Sequence, residues 1–507
     1  MPEKLESYDG IIVYAGQPFN YYEVKEPLLS IEEKKLAETL SQIISRKKPF
    51  AELKKLQLPG IDSEFAEKVR SRIVQDIEAE NLIQFIPSNE TINALNKNLI
   101  EFIKDNVSFS KHPSILAEEI LSSAIGFGKL SRIINDASLE EIMINSPTEI
   151  FVFHKRHGMC ITSIVLSMQE LKTLIDRIAL TVGKRISEEA PLLDARLPDG
   201  SRVNATSDYA TPLGPTLTIR KATKEALSII NLIENKTLSS ELAAYLWVFV
   251  EGMGINPLNI ICAGGSGSGK TTTLNVLSTF IPANDRMIVI EDTMELLLDE
   301  RKNCIRMEAR PALPNIKEVS MNDLLINALR MRPDRVVVGE VRGPEAKTLF
   351  NAMDIGVQGS MGTLHANTAR ETLIRLKASP MNVPEQMIPL LDLIIITKRL
   401  SVKGKNLIRR IAQLAEVTRM DEQVLLANVF EWDLSSDSIK RTNVPSHLIE
   451  VLAESTGQAK KEIQQEILVR KAILEFMLKR GIKSSAEVHK FIQQYYSAPK
   501  EVLELIR

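Results

Sequence analysis

The segment Gly264-Gly265-Ser266-Gly267-Ser268-Gly269-Lys270-Thr271 constrains this chain more than any other. An apolar run, Asn259–Ala263, precedes it, and Thr272-Thr273-Leu274 opens a helical pattern directly after it. Strand, glycine loop and helix in that order make the G-x-x-x-x-G-K-[ST] phosphate cradle. Its glycines let backbone N–H groups turn inward at the positive end of the helix. Lys270 can then reach β- and γ-phosphates, Thr271 offers its hydroxyl to Mg²⁺, and Thr272 continues the cradle into the helix. A merely structural glycine turn needs neither the Lys-Thr pair nor the helix.

The surrounding pattern is α/β. Candidate strands Asn259–Ala263, Met287–Glu291, Val336–Glu340, Met361–His365 and Leu393–Thr397 alternate with helical stretches. Such alternation implies right-handed crossovers and a mostly parallel sheet across residues 226–400. Residues 126–225 read as a small α+β domain. It has short strands around Glu141–Asn145, Glu149–Phe153, Ile161–Leu166 and Thr216–Arg220, and a turn at Pro198-Asp199-Gly200. Between them Ser167 and Glu170 form a capping box before Leu171, Leu174, Ile175, Ile178 and Val182 at helical spacing. Residues 1–125 read as helical and charged, with a capping box at Ser30–Glu33, a helix running toward Arg46, others over Ala66–Ala79 and Ile92–Ile103, and breaks at Pro59-Gly60 and Pro87. Residues 401–507 read as antiparallel strands near Leu407–Val417 and Val424–Trp432, then a helical tail from about Ser446.

Two further sheet edges carry acids. Ile290-Glu291-Asp292-Thr293-Met294-Glu295 puts three carboxylates at a strand's C-terminal end, where ligands bind in open α/β sheets. Beside a bound triphosphate one of them could orient or deprotonate water; taken alone, the segment also fits a solvated acidic turn. Arg335–Glu340 has a Walker-B shape without its aspartate, since Gly339 stands in that place; Glu340 is left to serve the metal's water shell. Arg342 is a candidate phosphate sensor or a surface ion-pair partner. His365 ends a strand on the same sheet edge, suiting it to sense a γ-phosphate, while no second His or Cys stands at metal-ligand spacing.

Composition excludes other classes. A net charge of -2 provides no global field for nucleic acid or an anionic membrane. Cys160, Cys262 and Cys304 are too scattered for a disulfide framework or zinc knuckle. No run reaches the ~20 apolar residues of a membrane span, and Met1–Ser7 has no apolar signal region. A cytoplasmic protein without a transmembrane segment is expected.

The order of these motifs resembles the secretion ATPases of type II secretion, type IV pili, type IV secretion and archaeal flagella. Those proteins carry a P-loop, an Asp box, an aspartate-poor Walker B and a His box, which here look like Gly264–Thr271, Ile290–Glu295, Val336–Arg342 and Gly356–Asn367. Asp194–Ala205 and Thr218–Arg220 resemble the family's preceding nucleotide-side domain, so the similarity spans about 130–435. It implies a RecA-like core that binds ATP and Mg²⁺. It further implies Glu295 as general base, Glu340 on Mg²⁺ through water, and His365 beside the γ-phosphate. Arg202 and Arg220 would reach the nucleotide, with Arg330 and Arg342 as further neutralising charges. Two departures stand out: Ile355-Gly356-Val357 replaces a Thr-Gly-His stretch, and the four-cysteine zinc insert of many bacterial members is missing. The chain looks closer to archaeal type II-like ATPases, whose long helical N- and C-terminal additions it shares.

The resemblance implies a homo-hexameric motor, peripheral to the inner face of the membrane, that pushes on an integral membrane platform protein to drive fibre assembly or secretion. A P-loop helicase or translocase is the alternative; the lack of a basic excess and of an aromatic stacking platform disfavours stable nucleic-acid binding. A nucleotide-gated scaffold with little turnover is a third reading, opposed by the complete set Lys270, Thr271, Glu295, Glu340 and His365.

Overall fold

The computed structural model describes all residues except 1, 26–27, 46–55, 70, 72–85, 87–88, 223–225, 299–300, 311, 313–316, 402–406, 421–422 and 507. Of the helices expected above, the end at Arg46, the greater part of Ala66–Ala79 and the break at Pro87 lie outside the described residues. The chain forms two compact units, Met1–Ala222 and Thr223–Arg507.

The first unit holds a nine-stranded sheet. Its strands are β1 (Lys4–Tyr8), β2 (Ile11–Tyr14), β3 (Asn20–Val24), β4 (Leu139–Ser146), β5 (Glu149–His154), β6 (Gly158–Thr162), β7 (Leu192–Arg196), β8 (Arg202–Thr206) and β9 (Thr216–Arg220). They lie in the order β1-β2-β3-β6-β5-β4-β9-β8-β7, with only β3 and β6 parallel. The opening meander β1 to β3 corrects the reading of residues 1–125 as helical, which holds for the helices that follow it. Asp9-Gly10, with φ of 43° and 77°, makes the two-residue turn that lets β1 fold back on β2. Helices Ile31–Ile44, Asn89–Asn106 and Pro113–Ala124 close a separate core around Leu36, Leu40, Leu99, Phe102 and Ile120. The capping boxes at Ser30 and Ser167 both form, and the helix Met168–Thr181 buries Leu171, Leu174, Ile175 and Ile178.

The second unit holds the sheet that carries the glycine loop. Its strands are β10 (Ile260–Gly264), β11 (Met287–Glu291), β12 (Cys304–Glu308), β13 (Arg335–Val338), β14 (Met361–Leu364), β15 (Leu393–Ser401), β16 (Leu407–Met420), β17 (Gln423–Asp433) and β18 (Ser438–Arg441). Their order is β12-β11-β13-β14-β10-β15-β16-β17-β18. The first six neighbours are parallel, and β16 to β18 add antiparallel strands at one edge. Both faces of the parallel part are buried, which explains its unbroken apolar runs. Ile260, Cys262, Val289 and Ile395 point into one core, and Ile261, Ala263, Ile288 and Ile394 into the other. This is an α/β core whose mostly parallel sheet carries the glycine loop at the end of β10.

The C-terminal helices complete the first of those cores. Helix Ser240–Glu251 is buried almost throughout, and Lys460–Arg480 packs across it. Arg470, 3% exposed, donates to Glu251 and Glu466 at 2.8 Å each and to the Trp247 carbonyl, and its guanidinium lies 5.2 Å from the Trp247 ring. The helical tail is therefore a structural layer of the second unit.

Candidate functional site

The glycine loop leaves the end of β10 and enters the helix Lys270–Ser278. Gly267 and Gly269 have φ of 66° and 98°, which a side chain would strain. A Cβ on Gly264 would lie 2.4 Å from the Thr397 carbonyl oxygen, so only glycine lets the loop turn beside β15. Ser268 Oγ ties the loop to Thr397 Oγ1 at 2.8 Å. Thr271 and Thr272 are half-buried in the first turn of the helix.

From the loop a line of charged groups runs along the C-terminal edge of the sheet. Lys270 Nζ donates to the Gly265 carbonyl at 2.9 Å and lies 3.4 Å from His365 Nδ1. His365 Nε2 stands 2.9 Å from Glu340 Oε1. That approach lacks hydrogen-bond geometry, so Oε1 remains a buried acceptor without a donor. Glu340 Oε2 accepts from Arg342 Nη2 at 2.5 Å, and Arg342 Nη1 lies 3.8 Å from Asp292. The structure thus brings Lys270, His365, Glu340, Arg342 and Asp292 together.

Electrostatics sets their protonation. Burial alone would raise the Glu340 pKa, but the hydrogen bond and charge of Arg342, with the Lys270 ammonium, outweigh it and hold the carboxyl below its usual range. Burial and the neighbouring Lys270 ammonium lower the His365 pKa against the opposing pull of Glu340. At neutral pH the site therefore contains an ionised acid, a neutral imidazole and two cations. A hard cation suits this donor set: Glu340 Oε1 is buried, anionic and lacks a donor, and Thr271 adds a hydroxyl at the loop.

Glu291 explains why Gly339 lacks a side chain. Its carboxylate is 2% exposed and accepts the backbone N–H groups of Glu295 and Leu296 at 2.8 and 3.0 Å. A Cβ on Gly339 would lie 2.9 Å from Glu291 Cγ. The space of the missing aspartate is taken from the neighbouring strand. Burial pushes the Glu291 pKa up, against those two N–H groups. Glu295 is exposed on the turn that Glu291 organises. Sequence reading grouped Glu291 with its neighbours as acids and missed this backbone role; an acid at the last, buried position of a strand was the available signal.

The other arginines are distributed differently. Arg202 and Arg220 belong to the first unit, paired directly across β8 and β9, with Arg220 Nε 3.8 Å from Glu141. Arg330 is exposed in the turn after helix Met321–Ala328. Sequence reading also passed over Arg399 and Arg409 of β15 and β16. Arg409 Nε donates to the Gly267 carbonyl at 3.0 Å, and a Cβ on Gly267 would meet Arg399 Nη1 at 2.8 Å. The signal for Arg399 was the Lys398-Arg399 pair directly after the apolar run that ends at Thr397, and for Arg409 the pair Arg409-Arg410.

Among the described residues one group has metal-ligand spacing, Glu6, His154 and His157 in the first unit. His154 Nδ1 accepts the backbone N–H groups of Arg156 and His157 at 3.1 and 3.2 Å. The ring proton then sits on Nε2, the nitrogen facing Glu6, leaving no lone pair there for an ion.

The model of the family described as Type II/IV secretion system protein matches residues 123–498. An uncharacterized protein of Methanocaldococcus jannaschii, MJ0781, is 52% identical over 238 residues, 46% of this chain and 33% of its own length. The chain thus spans about a third of that relative. A second from the same organism, MJ0900, is 35% identical over 388 residues, 75% of this chain and 69% of its own. Among solved structures, the VirB11 ATPase of the Brucella suis type IV secretion system, in complex with sulphate, is 26% identical. That match covers 56% of this chain and 91% of the other, with a TM-score of 0.29.

Proposed function

Because the chain belongs to the type II/IV secretion system protein family, we propose that it is an ATP-hydrolysing motor of a secretion, pilus or archaeal flagellum-like assembly system. The observation that carries this reading is the continuous line from Lys270 through His365 and Glu340 to Arg342 at the mouth of the glycine loop. An idle phosphate cradle has no use for a half-buried, ionised acid held one residue away from its lysine.

In this reading the loop amides of Gly264–Thr272 and the Lys270 ammonium bind the triphosphate. Lys270 exchanges its Gly265 carbonyl for phosphate oxygen, so binding costs the loop one internal hydrogen bond. Thr271 and Glu340 would hold Mg²⁺, which would supply charge neutralisation at the phosphates. Glu295 takes the proton of the attacking water, its backbone fixed by Glu291. Neutral His365 hydrogen-bonds the terminal phosphate without adding a charge that hydrolysis would have to lose. Arg342 and Arg330 contribute positive charge to the developing phosphoryl anion.

The motor works as a homo-hexamer on the inner face of the membrane, against an integral membrane platform protein. Among the described residues no helix is long and apolar enough to cross a membrane. ATP hydrolysis by the purified chain should rise when native membranes or the platform protein are added, and should ignore single-stranded DNA. Stimulation by DNA with no response to membranes would replace the secretion motor with a translocase.

A further inference from the structure

The sheet order gives the glycine loop two unlike flanks. β14 lies on one side of β10 and leads to His365, Glu340 and Arg342; β15 and β16 lie on the other. The first flank is the hydrolytic one, so a nucleotide whose terminal phosphate sits there extends its other end toward β15 and β16. On that flank stand two arginines, Arg399 and Arg409, in register directly opposite each other. Both lie against the loop: Arg409 Nε donates to the Gly267 carbonyl at 3.0 Å, and its Cδ lies 3.6 Å from where a Cβ on Gly269 would sit. Arg399 Nη1 lies 2.8 Å from where a Cβ on Gly267 would sit, so the guanidinium rests directly against the loop.

Two cations facing each other across a strand pair repel, and a phosphate between them reverses the sign of that interaction. Arg399 is exposed, and among the described residues no carboxylate forms an ion pair with it. Its approach to the loop therefore has no evident purpose in the fold. Guanidinium presents several N–H donors in a plane, the geometry that phosphate oxygens accept two at a time.

We propose that Arg399, supported by Arg409, is a nucleotide-binding residue that grips the phosphate nearest the ribose, the part that ATP and ADP share. The inference rests on the proposed nucleotide site, and it assigns the β15–β16 strands a task separate from hydrolysis. They hold the nucleotide through the cycle, while His365, Glu340 and Arg342 read the terminal phosphate. A motor needs such a division if it is to keep ADP after phosphate has left.

Titration calorimetry of the full chain with ADP, and with a nonhydrolysable ATP analogue, tests it in wild type, Arg399→Gln and Arg399→Lys. Arg399→Gln should weaken ADP and the analogue by the same factor, about tenfold, as expected for one charge-assisted phosphate contact at a partly solvated site. Arg399→Lys should recover part of that loss. In steady state KM should rise more than kcat falls. Unchanged ADP affinity in Arg399→Gln overturns the proposal, as does a loss confined to the ATP analogue, which would move Arg399 to the terminal-phosphate end. Wild-type protein that binds neither nucleotide would instead overturn the underlying site, and the wild-type titration separates the two failures. Thermal unfolding of each variant shows whether a loss of binding is a loss of fold.

Discussion

Restoring a side chain at Gly339 should damage both stability and turnover. A Cβ there comes within 2.9 Å of Glu291 Cγ, 3.4 Å of its Cβ and 3.5 Å of Oε1. Contacts below 3.0 Å do not persist, and Glu291 is too deeply buried to swing into solvent. Either the backbone of β13 shifts, at the roughly 1–3 kcal/mol of an overpacked core, or Glu291 rotates away. Rotation gives up the N–H groups of Glu295 and Leu296, at about 1–3 kcal/mol for each group left unsatisfied. Gly339→Ala should therefore cost about 2 kcal/mol in urea unfolding, and Gly339→Asp more, because it sets a second acid beside a buried one. In the Glu291→Ala background the same Gly339→Ala change should cost under about 0.5 kcal/mol, a coupling well above the scatter of independent sites. If Glu291 also holds the base, Gly339→Ala lowers kcat more than tenfold with little change in KM. Wild-type stability in Gly339→Ala, or equal costs in the two backgrounds, would refute the steric account of the missing aspartate.

Three other outcomes follow from the same geometry. Arg470→Ala leaves Glu251 buried without its cation and removes the stack on Trp247, so it should cost about 3–5 kcal/mol, read as a lower urea midpoint. His154 is 1% exposed, and burial, with the neighbouring His157, lowers its pKa from 6.5 to about 4. The unfolded chain therefore binds the proton first, and stability present above pH 6.5 is lost as pH falls toward 4. Between pH 7 and pH 5 urea unfolding should lose about 2 kcal/mol through this group, a loss that His154→Gln should remove. Lys270→Ala should abolish turnover and weaken ATP binding together, measured by hydrolysis and calorimetry; unchanged binding would place the phosphates elsewhere.

Much of the nucleotide core was legible because its physics is local. The five parallel strands showed as apolar runs because both sheet faces are buried, and the glycine loop announced its own turn. The N-terminal meander was missed although Asp9-Gly10 and the run Ile11–Tyr14 carried a hairpin signal, because the charged helices that follow dominated the reading. β12 was missed as well: every residue of Cys304–Glu308 is half-buried, so the segment shows neither an apolar run nor clean alternation. Contacts between distant strands were the least legible. Nothing in the order of residues says that Glu291 fills the gap at Gly339, or that Arg399 and Arg409 close on the loop from across the sheet. Such neighbours follow from strand order, which local patterns do not encode. Of the carboxylates in Ile290–Glu295, sequence could name three candidates; the sheet separates them, with Glu291 buried, Asp292 on Arg342 and Glu295 exposed.

Single-turnover hydrolysis of ATP by wild type and Glu295→Gln, with binding measured in parallel, bears on the central claim most directly. Wild type should release phosphate, while Glu295→Gln should hold ATP with nearly unchanged affinity and cleave it roughly 10²–10⁴-fold more slowly, the range for loss of a general base. Equal cleavage rates in the two proteins would contradict the account.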